Sequence, residues 1–323
     1  MVAEAPTRTA GTSTEESALS RTRRAAGMAA RRLRCENRVV SRYGFNLLPS
    51  VRYRQDPPVL DAPAAQVVTD LVRDGVTVTD GRGLLGADAP LLDRIEQRVR
   101  ALQDAHAEEI AERRRALATG ESGRWPKPYL VELLGQRPEV DPADPLVAFA
   151  LHEQVMGIAE EYFRCKVRLH DVNVWQNLAT GAPPTKSQRW HRDLLEDADI
   201  VKAFLYVDDV PPGAGPLTYV KGTNTPAGRR VKLPETWDGV GFRIADELVE
   251  ERFGADRTTT AVGRSGDVAW ADTLGLHRGG HAQTADRLVV MYTFCSAACC
   301  RPRTLVPAPG VRRADLTRVS LRR

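Results

Sequence analysis

The hydrophobic period changes once along this 323-residue chain, near Cys165, and that change limits the fold more than any other feature. Before it, apolar residues recur at helical spacing. Leu92, Ile95, Val99 and Leu102 fall at intervals of 3, 4 and 3, the stripe of an amphipathic helix. The pattern predicts helices over 62–73, 89–118 and 145–163, with a short strand over 76–79. After Cys165 the apolar residues come in short runs between turn residues, at 167–178, 200–207, 217–220, 266–270 and 287–294. A helix over 244–253 interrupts them, inside an insertion spanning 223–260. Helices first and many short strands after imply an α+β chain. A two-sheet jelly roll flanked by helices accommodates them.

Size and charge refine this picture. The length allows one large domain or two medium ones. No apolar run approaches a membrane span. The first 20 residues are polar and hold Glu4, Glu15 and Glu16, unlike an export signal, so a cytoplasmic protein is expected. Net charge is +4, yet residues 1–54 carry eleven Arg against four Glu. We read 1–56 as a basic, partly disordered extension and 57–323 as one domain. Its helical part covers 57–164, and a jelly-roll core covers 165–296. No aromatic residues interleave with the basic run at 21–34, which argues against nucleic acid. No structure is read into the basic C-terminus. The five cysteines are an odd count and are expected to be reduced. Cys295, Cys299 and Cys300 lack a second pair at zinc-finger spacing and read as buried or half-buried thiols.

One short stretch carries chemistry: Gln188-Arg189-Trp190-His191-Arg192-Asp193. On a strand, His191 and Asp193 share a face, so one metal ion can hold both. His277 lies 84 positions after Asp193, just past an apolar segment, and can supply a third ligand. Two histidines and one carboxylate with an open opposite face suit non-haem Fe(II) and oxygen chemistry. Arg287, ten residues beyond His277, opens an apolar strand as a fixed cation. His281 competes as the distal ligand, but would leave the Arg only six residues away. "HRDL" also opens a protein-kinase catalytic loop; that loop needs Asn five residues after the Asp, and Ala198 stands there.

The segments "WHRD", "KAFLYVDDVPPGAGPLTYVKGTN" and "GDVAWADTLGLHRGGHAQTADRLVVMYTF" resemble the phytanoyl-CoA dioxygenase-like family of Fe(II)/2-oxoglutarate-dependent oxygenases. The resemblance covers about residues 60–296. It implies a double-stranded β-helix, cupin-like, with iron on His191, Asp193 and His277. It also implies 2-oxoglutarate as co-substrate, its far carboxylate on Arg287, with O2 as oxidant. Asn177 is the best second contact to the co-substrate, and Gln188 a weaker one. Asn173, Trp175, Tyr129, Arg192 and Asp272 are candidate substrate contacts. The chain departs from many relatives in carrying Gly279 two residues after His277, where they hold Ser or Thr. Asp193 fills the position that halogenases of this scaffold leave to halide, which argues against halogenation. Relatives of this type commonly tailor small natural products, and the mostly polar candidates favour a polar small-molecule substrate. The expected reaction is hydroxylation, cyclisation or desaturation at an unactivated C–H. The alternatives are a jelly-roll binding module without activity and an iron oxygenase that does not use 2-oxoglutarate. The oligomeric state stays open.

Overall fold

The computed structural model describes residues 34–35, 37, 39–121, 123–193, 196–239 and 241–322. Most of the basic run, and with it most of the expected extension, lies outside the described residues. Helix α1 (Leu47–Gln55) precedes α2 (Ala62–Asp74). Asp61 caps α2 by accepting from the Ala64 N–H at 2.9 Å, and Gly75 ends it at φ 84°, a conformation that favours glycine. Strand β1 (Val76–Asp80) follows.

Each of the two long helices expected from the sequence is two helices. The first divides into α3 (Pro90–Ala105) and α4 (Ala107–Thr119), the break falling at His106 with φ −107° and ψ 13°. The second divides into α5 (Pro145–Leu151) and α6 (Glu153–Phe163), the break falling at His152, whose extended backbone lets its Nδ1 accept from the Gln154 N–H. Periodicity alone does not register such a break, because the apolar faces on either side stay in phase.

Strand β2 (Leu130–Glu132) precedes the helix pair α5–α6. The later strands are β3 (Arg168–Asn177), β4 (Val201–Tyr206), β5 (Leu217–Val220), β6 (Thr258–Thr260), β7 (Asp267–Asp272), β8 (His277–Gly279) and β9 (Arg287–Cys295). Helix α7 (Asp246–Phe253) lies in the insertion. Six strands form one sheet in the order β1-β7-β4-β9-β3-β2, and three form another in the order β8-β5-β6. Every pairing in both is antiparallel, and neither sheet closes.

The large sheet is apolar on its helix side and mixed on the other, where apolar residues meet the small sheet and polar ones line a cavity. Val172, Val174, Leu205, Val268, Trp270, Leu288, Val290 and Phe294 pack against the helices with Leu71, Ile95, Phe149 and Ile158. Each such side chain contributes roughly 1.5–3 kcal/mol on full burial. Its other face meets the small sheet through Val76, Tyr206, Ala269, Ala271 and Val289 against Leu217 and Tyr219. The C-terminal segment, left without structure by the sequence reading, belongs to the fold. Leu316, Val319 and Leu321 are buried in the helix-side core, and Val306–Pro307 pairs in parallel with Glu139–Val140. Among the described residues no helix is long and apolar enough to cross a membrane.

Candidate metal centre and its cavity

His191 and His277 meet through the backbone. Each N–H donates to the other's carbonyl at 2.9 Å, in an isolated antiparallel bridge. This replaces the strand expected for the His-x-Asp stretch. The Asp193 N–H donates to Thr273 O at 2.9 Å, which holds the carboxylate beside the bridge. Trp190 anchors the stretch from below, buried with Val220, Ile244, Val249, Phe253 and Leu276. The 223–260 insertion thus supplies the floor on which the His-x-Asp stretch rests.

The two rings stand 4.4 Å apart between centroids. Nδ1 of His191 donates to Arg189 O at 2.9 Å, and Nδ1 of His277 to Gly275 O at 3.0 Å. A carbonyl can only accept, so both Nδ1 atoms carry the proton and both Nε2 lone pairs are free. Each Nε2 lies 3.9 Å from Asp193 Oδ1. The ligand atoms of the three residues fall within 4.8 Å of one another, a group that could hold a metal ion. Gly275 is required here, because a Cβ would stand 1.6 Å from Tyr219 Oη, and that hydroxyl donates to Asp272 O at 2.8 Å.

Charge suits the same task. Burial, and then the neighbouring His277, depress His191 to about 3. Burial also lowers His277. Both imidazoles are therefore neutral near pH 7. Burial would raise the Asp193 carboxyl, but Lys202 and the two histidines hold it well below the ordinary carboxylate range. The Lys202 ammonium stands 2.6 Å from Asp193 Oδ2.

These residues line a cavity of about 430 Å³. Arg192, Tyr129, Trp175, Asn177 and Arg287 line it as well. Arg287 pairs in register with Asn177 across β9 and β3. The Arg287 side chain is buried, with no hydrogen bond or ion pair among the described residues, and burial lowers its pKa. Asn177 Nδ2 and Trp175 Nε1 are buried without a partner. Three residues that line one cavity therefore carry donors without a partner, and each uncompensated polar group is costly.

Other candidates are already committed. Gln188 does not line the cavity; its side chain closes a capping box with Thr185. Asn173 binds Leu134 N and Gly135 O. Asp272, fully buried, holds Tyr162 Oη and Arg229 at 2.7 Å each. Arg192 reaches the cavity wall, but its guanidinium donates to the carbonyls of Thr223, Leu274 and Gly228. His281 is not part of the metal-competent group.

Sequence reasoning missed Lys202, Lys127, Glu132, Asp171 and Arg301, all of which line the cavity. Lys202 left a signal, since it is the one charge inside the apolar run 200–207. Arg301 left none, because it lies beyond the last apolar strand in a segment without periodicity.

No protein-family model and no curated protein sequence matches the chain. Solved structures do. One is the epimerase SnoN in complex with Fe3+, alpha ketoglutarate and nogalamycin RO, 23% identical, with TM-score 0.48 over 81% of this chain and 96% of that one. Another is EctD from S. alaskensis with bound Fe, 14% identical, with TM-score 0.48 over 79% and 85%. A third is HygX from Streptomyces hygroscopicus with nickel and 2-oxoglutarate bound, 16% identical, with TM-score 0.43 over 82% and 96%.

Proposed function

We propose that the chain is an Fe(II)- and 2-oxoglutarate-dependent oxygenase on a double-stranded β-helix, acting at an unactivated C–H of a polar small molecule, in natural-product biosynthesis in the cytoplasm. One oxygenase domain over 57–323 carries the activity. The observation that supports this reading is the pairing, across one cavity, of the His191–Asp193–His277 group with a buried guanidinium that has no anion of its own.

The donor set fits the metal. Two neutral imidazoles with free Nε2 lone pairs and one carboxylate leave a divalent ion with a net charge of +1 and an open face. The opposite end fits the co-substrate. Arg287, Asn177 Nδ2 and Trp175 Nε1 all donate and none accepts, so a carboxylate satisfies them together. When bound, iron with 2-oxoglutarate and O2 supplies the oxidising power for C–H cleavage. The chain's own residues orient and exclude. The carbonyls of Arg189 and Gly275 fix the tautomers. Lys202 restrains the free oxygen of Asp193. Val289 and Met291 line the cavity on the Arg287 strand and keep water from the reacting end. Lys127, Glu132, Asp171 and Arg301 bring charge to the cavity, which supports a polar substrate over a greasy one.

The test is direct. Titrating 2-oxoglutarate into Ni(II)-loaded protein by calorimetry is expected to give one site that is absent when His191 and His277 are both changed to Ala. Succinate release against a panel of polar metabolites then identifies the substrate. Metal uptake without 2-oxoglutarate binding would favour an oxygenase using another reductant. No metal uptake at this site would favour a binding module.

A further inference from the structure

A second cluster sits farther along the same strands. On β9 the residues that face the cavity are Arg287, Val289 and Met291, and alternation continues that face to Thr293 and Cys295. The pairing with β3 slips at this point. Thr293 pairs with Asp171 and Phe294 with Leu169, so His170 has no partner in the ladder. A bulge of this kind re-aims the side chain it releases. The imidazole of His170, the Sγ of Cys295 and the Sγ of Cys299 lie within 4.8 Å of one another.

The geometry around these three atoms is that of a prepared ligand set. His170 Nε2 donates to Pro302 O at 3.2 Å, so Nδ1 bears the lone pair. That Nδ1 is buried without a hydrogen bond of ordinary length, and the side chain that interacts with the imidazole is Cys299. A metal-binding imidazole is commonly held in this way, by a carbonyl on its other nitrogen. Cys295 is fully buried and Cys299 half-buried, and both are free thiols. The Arg301 backbone N–H donates to Cys299 Sγ at 3.4 Å, a contact that favours thiolate. The turn carrying Cys299 is fixed from outside. Arg34 donates to the carbonyls of Ala298 at 2.5 Å, Ala297 at 2.9 Å and Cys299 at 3.3 Å.

We propose that His170, Cys295 and Cys299 form a second metal site, separate from the His191–Asp193–His277 group, that takes Zn(II). Two sulfurs and one imidazole suit zinc better than a hard cation, and the half-exposed side at Cys299 leaves the fourth position to water. The ion ties β3 and β9 to the turn that leads into Arg301. Arg301 stands 3.7 Å from Asp171, and both line the catalytic cavity. The second site therefore fixes one charged wall of the cavity, where Arg301 also feels the charge of Asp193.

Cobalt(II) reports sulfur ligation through a thiolate-to-metal charge-transfer band in the near ultraviolet, which a site of two histidines and a carboxylate does not give. Metal-free, reduced, full-length protein titrated with Co(II) is expected to develop this band to one equivalent and to lose it on adding Zn(II). The band persists in a His191→Ala/His277→Ala variant and is lost in Cys299→Ser, with far-ultraviolet circular dichroism checking that the variant folds. His170→Asn is expected to weaken Zn(II) binding at least tenfold. A wild-type protein that binds Co(II) without the band would overturn the proposal. So would a band that survives Cys295→Ser/Cys299→Ser, because it would assign the sulfur to Cys35 and Cys300, whose Sγ atoms stand 3.2 Å apart. Loss of two thiols to a disulfide in the metal-free protein, with no metal uptake after reduction, would also overturn it.

Discussion

Two buried polar regions lie toward opposite ends of the large sheet's strands, Asp272 level with Phe294 and Arg287 beyond Tyr206, and they are built on different principles. Around Asp272 the carboxylate itself is fully matched, although Arg229 Nε and Thr273 Oγ1 beside it have no partner. Its carboxylate accepts from Tyr162 Oη and Arg229 at 2.7 Å and from the Leu274 N–H at 3.0 Å, and Arg229 also reaches Asp199 at 3.2 Å. Around Arg287 the guanidinium, the Asn177 amide nitrogen and the Trp175 indole nitrogen have no hydrogen-bond partner among the described residues, and all three residues line the same cavity. The first arrangement holds segments of chain together. The second carries an energetic cost that a ligand with acceptor atoms would remove. A buried charge therefore indicates function only after its partners have been accounted for. Asp272 and Arg287 are equally unusual as buried residues, yet only one of them is free to bind.

The sharpest way to break this contrast is to remove one member from each region. Asp272→Ala leaves Arg229 with Asp199 and the Ala198 carbonyl and Tyr162 without an acceptor. Breaking a buried ion pair costs roughly 3–5 kcal/mol, and a loss near ~3 kcal/mol in urea unfolding is expected because Asp199 remains. The folded fraction should keep the Arg287 end of the cavity, which lies toward the other end of these strands, so 2-oxoglutarate affinity should fall far less than in Arg287→Leu. Arg287→Leu should do the reverse. Losing one partner of a buried charge pair costs about 2–5 kcal/mol in binding, so 2-oxoglutarate affinity should fall by about a hundredfold. Without ligand the variant should be as stable as the wild type or more so, because a desolvated cation has been replaced by an apolar side chain. If calorimetry showed unchanged affinity, Arg287 would be structural and the contrast false.

A pH series sharpens the comparison further. His191 is depressed from 6.5 to about 3, so folding favours its neutral form. The sign follows: its contribution is fully present above about pH 6.5 and is lost as pH falls from there toward 3. Stability should decline by up to about 1.4 kcal/mol per pH unit across that window from this one group. His191→Phe should flatten that slope in urea titrations, whereas Asp272→Ala should leave it in place.

Legibility from sequence divides along similar lines. The helix–strand division, the principal strands and the convergence of His191, Asp193 and His277 could be read because each leaves a local mark: a period, a turn residue, a spacing. Arg287 could be read because it heads an apolar strand. What could not be read depends on pairing between distant segments. Nothing local distinguishes Asp272, fully bonded, from Asn177, with an unmatched Nδ2, since both are polar residues on strands. His106 and His152 break helices without disturbing the apolar stripe. Arg301 and the core residues Leu316 and Val319 lie in a segment with no regular period, and only the folded chain shows where they go.

The finest form of the contrast lies between two amides. Asn177 and Gln188 were both expected near the co-substrate, and both are buried. Gln188 Oε1 accepts from the Thr185 N–H at 3.0 Å, in a capping box that closes a single helical turn. Asn177 Nδ2 has no partner and stands in register with Arg287. Gln188→Ala should therefore cost about 1 kcal/mol of stability, as lost caps do, and leave 2-oxoglutarate affinity alone. Asn177→Ala removes one donor to the ligand, a hydrogen bond of roughly 0.5–1.5 kcal/mol. Affinity should fall by about two- to tenfold, with no loss of stability, because no bond within the protein is broken. Calorimetry and thermal melts on the two variants separate these outcomes. If Gln188→Ala weakened co-substrate binding and Asn177→Ala did not, the orphaned amide would be a vacancy of packing, and the rule that unmatched donors mark the ligand would fail at the residue where it is most exposed to test.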